Sequence, residues 1–200
     1  MNLDFALFHT FLNQYQQIPA TDFDLICQHM QWRTIKAGDH LLEQGKTARE
    51  LFFVTNGILK IISTSEKGNE VIQFFVKENK FCTVLYSFMG QVVSQEGIMA
   101  ATDGAVFVFS RPQLHRLYQQ LPSVKELFEG IIQQALLDKI QLRNSLMGEE
   151  ATTRYLKFMA QHPDILQRVP LSDVASYLGI TQQSLSRIRR NLTLSGTGND

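Results

Sequence analysis

The chain is poor in what most fixed-site chemistry requires. Only two cysteines, Cys27 and Cys82, occur in its 200 residues, too few for the usual four-thiolate iron–sulfur cluster in one subunit. There is no CxxC, and no Cys/His spacing suits zinc, so no metal ligand is assigned. Both thiols read as reduced and partly buried, the ordinary state of free cysteine in a cytosolic protein. No nucleophile–base pair and no phosphate-cradling loop stands out, so no catalytic residue is assigned and an enzyme is not expected. Long apolar runs are missing as well. Leu51–Val54 and Val71–Val76 are typical, far short of the roughly 18 residues of a spanning helix. Residues 1–11 carry Asp4 and no basic cluster, unlike a signal peptide, so the expected compartment is the cytoplasm. Repeats and low-complexity tracts are absent too.

What is there suits a globular protein of one large or two small domains, 44% hydrophobic and 19% charged. Basic and acidic residues number 19 each. They are unevenly spread. Residues 1–150 hold 13 Lys and Arg against 16 Asp and Glu, and residues 151–200 hold six against three, with Arg187, Arg189 and Arg190 supplying the excess. A basic end on a neutral chain points to a polyanionic partner.

Phe5, Phe8, Leu12 and Tyr15 fall at helical spacing, and Phe23, Ile26 and Met30 follow after Pro19. From Gln31 the period changes. Trp32–Ile35, His40–Glu43, Leu51–Thr55, Ile58–Ser63, Val71–Val76, Gly97–Ala101 and Ala105–Phe109 alternate with turn residues, among them Asn56-Gly57, Lys67-Gly68-Asn69 and Asp103-Gly104. Asn-Gly and Asp-Gly between apolar runs signal hairpins, because a type I′ turn needs positive φ at both central residues. So many short strands predict a β-sandwich or roll.

Beyond Ser110 the chain reads as helix. One short helix starts at Ser110-Arg-Pro and ends near Pro122. Ser123-Val-Lys-Glu126 fits a capping box for a helix reaching Met147, about 24 residues and roughly 36 Å long. Phe128, Ile132, Ala135, Lys139, Leu142 and Leu146 follow a 4-3 spacing along it, and Ile131, Leu136 and Ile140 widen the stripe. A helix this long cannot be covered by its own small domain, which predicts a parallel dimer seam through that stripe. Lys139 is the charged misfit. Gly148 ends the helix and Glu149–Gln161 forms the next.

Residues 171–190 have a helix-turn-helix pattern. Ala175 sits where two helices cross, Gly179 takes the left-handed turn, Ile180 plugs the core, and Thr181 caps the second helix. Val174, Leu178, Leu185 and Ile188 bury one face. The other face presents Gln182, Gln183, Ser186, Arg187, Arg189 and Arg190. Gln pairs with adenine and Arg with guanine in the major groove. Gln182, Gln183, Ser186 and Arg187 are therefore the expected base readers of double-stranded DNA. Arg189, Arg190 and the hydroxyls of Thr181 and Ser184 are placed for phosphate.

In this order the motifs resemble the Crp/Fnr superfamily of bacterial transcription regulators over roughly residues 5–192. The resemblance is carried by Lys36-Ala-Gly38…Gln44-Gly45, by Leu51-Phe-Phe-Val-Thr-Asn-Gly57-Ile-Leu-Lys60, by Gly68-Asn-Glu70, and by Ala175…Leu178-Gly-Ile-Thr…Ser186-Arg187. It implies an α+β chain. Residues 1–122 form a double-stranded β-helix or jelly roll of the cyclic-nucleotide-binding type, 123–147 a dimerisation helix, 148–194 the helix-turn-helix domain and 195–200 a disordered tail. It also implies a homodimer on a palindromic operator, with RNA polymerase a candidate further partner and a small-molecule effector in the roll.

Two departures matter. Members that bind cyclic nucleotides hold the ribose with a Gly-Glu and the phosphate with an Arg-Ser or Arg-Thr pair. In the matching stretch, Phe81–Gln95, Thr83 or Val84 stands for the Glu and Ser94-Gln95 for the pair, and no Arg or Lys lies between Lys80 and Arg111. A phosphate buried there lacks its charge-assisted partner, so a cyclic nucleotide is not the expected effector. Phe81, Cys82, Thr83, Val84, Ser94 and Gln95 are the expected pocket residues, open to a less charged ligand or filled by Phe81, Tyr86 and Phe88. Cys82 and the five histidines form no haem pattern, so no cofactor is assigned. The second departure is at Asn191–Leu194, which leads to a polar tail rather than to the β-hairpin wing of many members. The expectation is a cytoplasmic DNA-binding regulator. Its rival is a small-molecule sensor module with little or no DNA binding.

Overall fold

The computed structural model describes residues 3–196. Helices α1 (Leu3–Asn13) and α2 (Ala20–Gln28) come first. Strands β1 (Gln31–Ile35), β2 (His40–Leu42), β3 (Glu50–Asn56), β4 (Leu59–Thr64), β5 (Glu70–Val76) and β6 (Lys80–Cys82) follow. Helix α3 (Leu85–Gly90) precedes β7 (Glu96–Ala100) and β8 (Gly104–Ser110). The rest is helical: α4 (Arg111–Gln120), α5 (Pro122–Leu146), α6 (Ala151–Gln161), α7 (Pro163–Arg168), α8 (Leu171–Tyr177) and α9 (Gln182–Gly196).

All strand pairs are antiparallel and make two four-stranded sheets, β1-β8-β3-β6 and β2-β7-β4-β5. This is the roll the strand count implied and the jelly roll the resemblance implied. Neither Asn56-Gly57 nor Asp103-Gly104 makes the expected hairpin. Lys67-Gly68-Asn69 joins β4 to β5 within a sheet. Asn56-Gly57 and Asp103-Gly104 instead pass the chain from one sheet to the other. The two corners pack on each other. A Cβ at Gly57 would stand 2.8 Å from the Asp103 carbonyl oxygen, and one at Gly104 would collide with the Asn56 carbonyl. Local chemistry marks where the chain turns; the packing of whole sheets decides which strand receives it.

β3 is buried from Leu51 to Thr55 on both faces, and β8 from Ala105 to Phe109. One face meets the other sheet and the second is covered by helices. The Phe8 ring lies 4.4 Å from Phe53, and Phe128 of α5 lies 4.9 Å from Phe81 and 5.6 Å from Phe109. Val124, Leu127, Phe128 and Ile131 of α5 thus complete the core of the roll. Pro122 occupies the first turn of α5 and no side chain caps it, so the expected capping box at Ser123–Glu126 does not form. Ser110 does cap α4, accepting from Gln113 N.

A second core gathers Tyr155, Phe158, Ile165, Val174, Leu178 and Leu185, with Ile58, Phe75 and Ala101 of the roll packed into it. The strand β6 and the short helices α3 and α7 were not legible in the pattern. α9 runs to Gly196, so Ser195 and Gly196 are helical rather than tail. Residues 197–200 lie outside the described residues.

Candidate nucleic-acid interface

After α8, Gly179 adopts φ +67°, a region open to glycine at little cost. Its amide donates to Ser176 O, and Ile180 N donates to Ala175 O, both at 3.0 Å. Thr181 caps α9. Its Oγ1 accepts from Ser184 N at 3.1 Å and lies 2.9 Å from the Ser184 hydroxyl. Leu185 is fully buried and Ile188 half-buried. Gln182, Gln183, Ser186, Arg187, Arg189 and Arg190 are all exposed. None of these three arginines enters an ion pair among the described residues. Arg154 on α6 had no sequence signal. It lies beneath the Gly179 turn with a buried Nε that has no hydrogen-bond partner among the described residues.

Helix α8 is fixed to the roll by polar contacts no pattern could pair. Ser176 Oγ accepts from Ile72 N on β5 at 3.0 Å, serving a donor that an edge strand leaves open. Lys60 on β4 is 8% exposed and donates to Glu70 at 2.9 Å and to Asp173 on α8 at 3.1 Å. Burial opposes its charge, but the two carboxylates more than offset this and raise its pKa. Lys77 pairs with Asp164 at 2.8 Å, and Arg168 forks onto Glu78 at 2.6 and 3.1 Å. The Lys77 hydrogen bond holds the Asp164 carboxyl below its usual range. For Glu78, burial pushes upward, and the bonds from Arg168 and Gly57 N outweigh it.

The expected effector residues are not brought around one cavity. Cys82, Val84 and Ser94 are buried, Gln95 is exposed, and Phe81 and Thr83 border a space of about 50 Å³ beside α5. The Thr83 and Ser94 hydroxyls are occupied. Thr83 Oγ1 donates to Glu50 O at 3.0 Å, and Ser94 Oγ donates to Glu96 O at 2.7 Å while accepting from Glu96 N. Burial pushes the Cys82 thiol up to about 11 and raises the Glu96 carboxyl, with Lys139 opposing both shifts. Lys139, the misfit on α5, lies with its ammonium 4.9 Å from the centre of the Phe74 ring.

The expected dimer seam is corrected in part. Phe128 and Ile131 are 0% and 5% exposed inside their own roll. They serve its core and cannot meet a partner. Ile132, Ala135, Lys139 and Leu142 are half-buried on the same side. The Leu146 side chain lies outside the described residues. The exposed apolar row is Leu136, Leu137 and Ile140, at 43%, 53% and 48%. Leu137 stands nine residues after Phe128, about 180° round the helix.

Residues 32–121 match the cyclic nucleotide-binding domain family. No curated protein matches the sequence. Among solved structures, the chain is similar to the c-di-GMP responsive global regulator CLP of Xanthomonas campestris, at 17% identity over 89% of this chain and 93% of that one, with a TM-score of 0.70. FixK2 from Bradyrhizobium japonicum is similar at 16% identity, covering 84% and 86%, with a TM-score of 0.70. The catabolite activator protein of Thermus thermophilus follows at 18%, covering 93% and 88%, with a TM-score of 0.56. At such identities the similarity is one of fold.

Proposed function

For a chain with the fold of the Crp/Fnr transcription regulators, we propose that α9 is a DNA recognition helix and that the protein acts as a homodimeric transcription regulator. The observation that carries this reading is α9 itself. One face is anchored by Leu185, and the other leaves Arg187, Arg189 and Arg190 exposed and, among the described residues, without ion pairs beside Gln182 and Gln183. Gln182, Gln183, Ser186 and Arg187 reach base edges from the N-terminal half of the helix. Arg189 and Arg190 take phosphates, and the Thr181 and Ser184 hydroxyls can turn from each other to the backbone.

Dimerisation runs through Leu136, Leu137 and Ile140 on the side of α5 turned away from the roll. Large exposed apolar groups in a row on a helix call for a partner, and a parallel second copy supplies the same row. Two recognition helices then enter successive major grooves, about 34 Å apart. The reading includes no catalytic role.

A cyclic nucleotide does not fit the segment that the family devotes to it. Ser94 spends its hydroxyl on Glu96, and the segment offers no cation. A buried phosphodiester there loses its charge-assisted bonds.

Selection of bound duplexes from a random-sequence library by the purified chain tests the proposal. Enrichment of an inverted repeat with half-sites about one helical turn apart supports it. Binding without any sequence enrichment overturns it.

A further inference from the structure

Outside the Thr83–Gln95 segment, a cavity of about 240 Å³ opens where the roll, α5 and the C-terminal helices meet. Its wall is apolar: Phe74 and Phe75 of β5, Leu142 of α5, and Phe158, Ile165 and Tyr177 from the far side. Three ammonium groups stand around it, Lys77, Lys80 and Lys139. Lys77 is held by Asp164 at 2.8 Å, and Lys139 lies over Phe74. Lys80 is exposed and makes no ion pair among the described residues. The lining acid, Asp138, accepts from Gln134 at 2.8 Å. His162 also lines the cavity, and its Nδ1 is buried with no hydrogen-bond partner among the described residues. A buried polar atom is ordinarily satisfied, so this one is a free handle beside an apolar wall.

We propose that this cavity binds a small aromatic monocarboxylate. Its ring lies among Phe75, Phe158 and Tyr177, its carboxylate meets Lys80, and the His162 Nδ1 serves a further polar atom of the ligand. The pattern is that of small-molecule sites, an apolar pocket with few convergent polar groups. The volume is many times what one water needs and suits a compact molecule of one or two rings. The inference rests on the regulator reading. A ligand walled by three elements favours one arrangement of them and so acts on the placement of α9.

Calorimetric titration of the full chain with 4-hydroxy-1-naphthoate, whose hydroxyl offers His162 its further polar atom, and with the neutral 4-hydroxy-1-naphthamide tests this. The expected result is one naphthoate per chain, bound about tenfold more tightly than the amide. Lys80→Gln, at an exposed position, removes that difference, and Leu142→Trp, which fills the cavity, removes binding of both. No naphthoate binding, equal affinity for the two probes, or a Lys80→Gln variant that keeps the difference overturns the proposal. Duplex selection with ligand-free protein is scored separately. An enriched operator without naphthoate binding overturns the cavity alone, whereas the expected titration without any operator supports the cavity and removes the regulator reading.

Discussion

Lys60 Nζ and the Asp173 carboxylate stand 3.1 Å apart across 113 residues of sequence, tying the centre of the roll to α8. Lys60 sits on β4, whose neighbour β5 carries the Phe75 that packs on Phe158 and Tyr177. The orientation of α9 is therefore set from the β4–β5 ribbon, through charge and through packing.

Removing one side of that link is costly because the other side is buried. Asp173→Ala leaves Lys60 with Glu70 alone. The expected loss is about 1–3 kcal/mol, read as a lower urea midpoint, with faster proteolysis at the Met147–Glu150 connection. A variant as stable and as protease-resistant as the wild type contradicts the link.

The proposed dimer seam and the roll-facing residues lie on opposite sides of α5. Leu137→Glu is expected to yield a folded monomer in sedimentation velocity. Phe128→Ala is expected to cost about 3–5 kcal/mol of stability through a core cavity. A dimer that survives Leu137→Glu places the seam elsewhere.

Stability should fall on acidification in two stages. Burial, with a contribution from Lys77, holds the His162 pKa below 6.5. The unfolded chain then binds more protons than the folded one as pH drops below about 6.5, so stability declines from there towards the depressed pKa. Asp164 and Glu78, with lowered pKa values, are fully stabilising above their unfolded values and lose that contribution as pH falls through about 4.5 and lower. Urea midpoints against pH check both stages, and His162→Phe should flatten the first only.

Cyclic AMP is expected to leave the melting temperature unchanged at millimolar concentration. A ligand at 100 times its Kd stabilises by about 2.7 kcal/mol, which such a scan detects readily. A clear upward shift would place a phosphate site where Ser94 and Gln95 now stand.

Much of this architecture is written in local pattern. Strand period, the turn dipeptides, the Gly179 reversal and the Thr181 cap are decided within a few residues, and they fell where the sequence placed them. What failed was decided at long range. The Asn56-Gly57 and Asp103-Gly104 turns look like hairpins until two sheets must share them. The α5 stripe was correctly apolar, but a 3.6-residue period does not say whether Phe128 or Leu137 meets the roll. The bonds from Lys60, Lys77 and Arg168 join residues 87 to 113 apart, and no motif announces a pair at such distance. The effector segment misled differently. Of the residues aligned with a ligand site, Thr83 spends its hydroxyl on Glu50 O of β3 and Ser94 closes its own turn onto Glu96 O.

The central claim is that α9 reads sequence through Arg187 in a two-fold symmetric protein. The direct measurement is binding of the selected inverted repeat, a single half-site and an unrelated duplex across a salt series, for the wild type and Arg187→Ala. The account predicts that the wild type prefers the full repeat over the unrelated duplex by at least about 10³, with affinity falling steeply as salt rises. Arg187→Ala should stay dimeric and lose about 1–3 kcal/mol at each half-site, bringing the full repeat close to the unrelated duplex. An Arg187→Ala protein that keeps the wild-type sequence preference contradicts the assignment of α9 as the recognition helix.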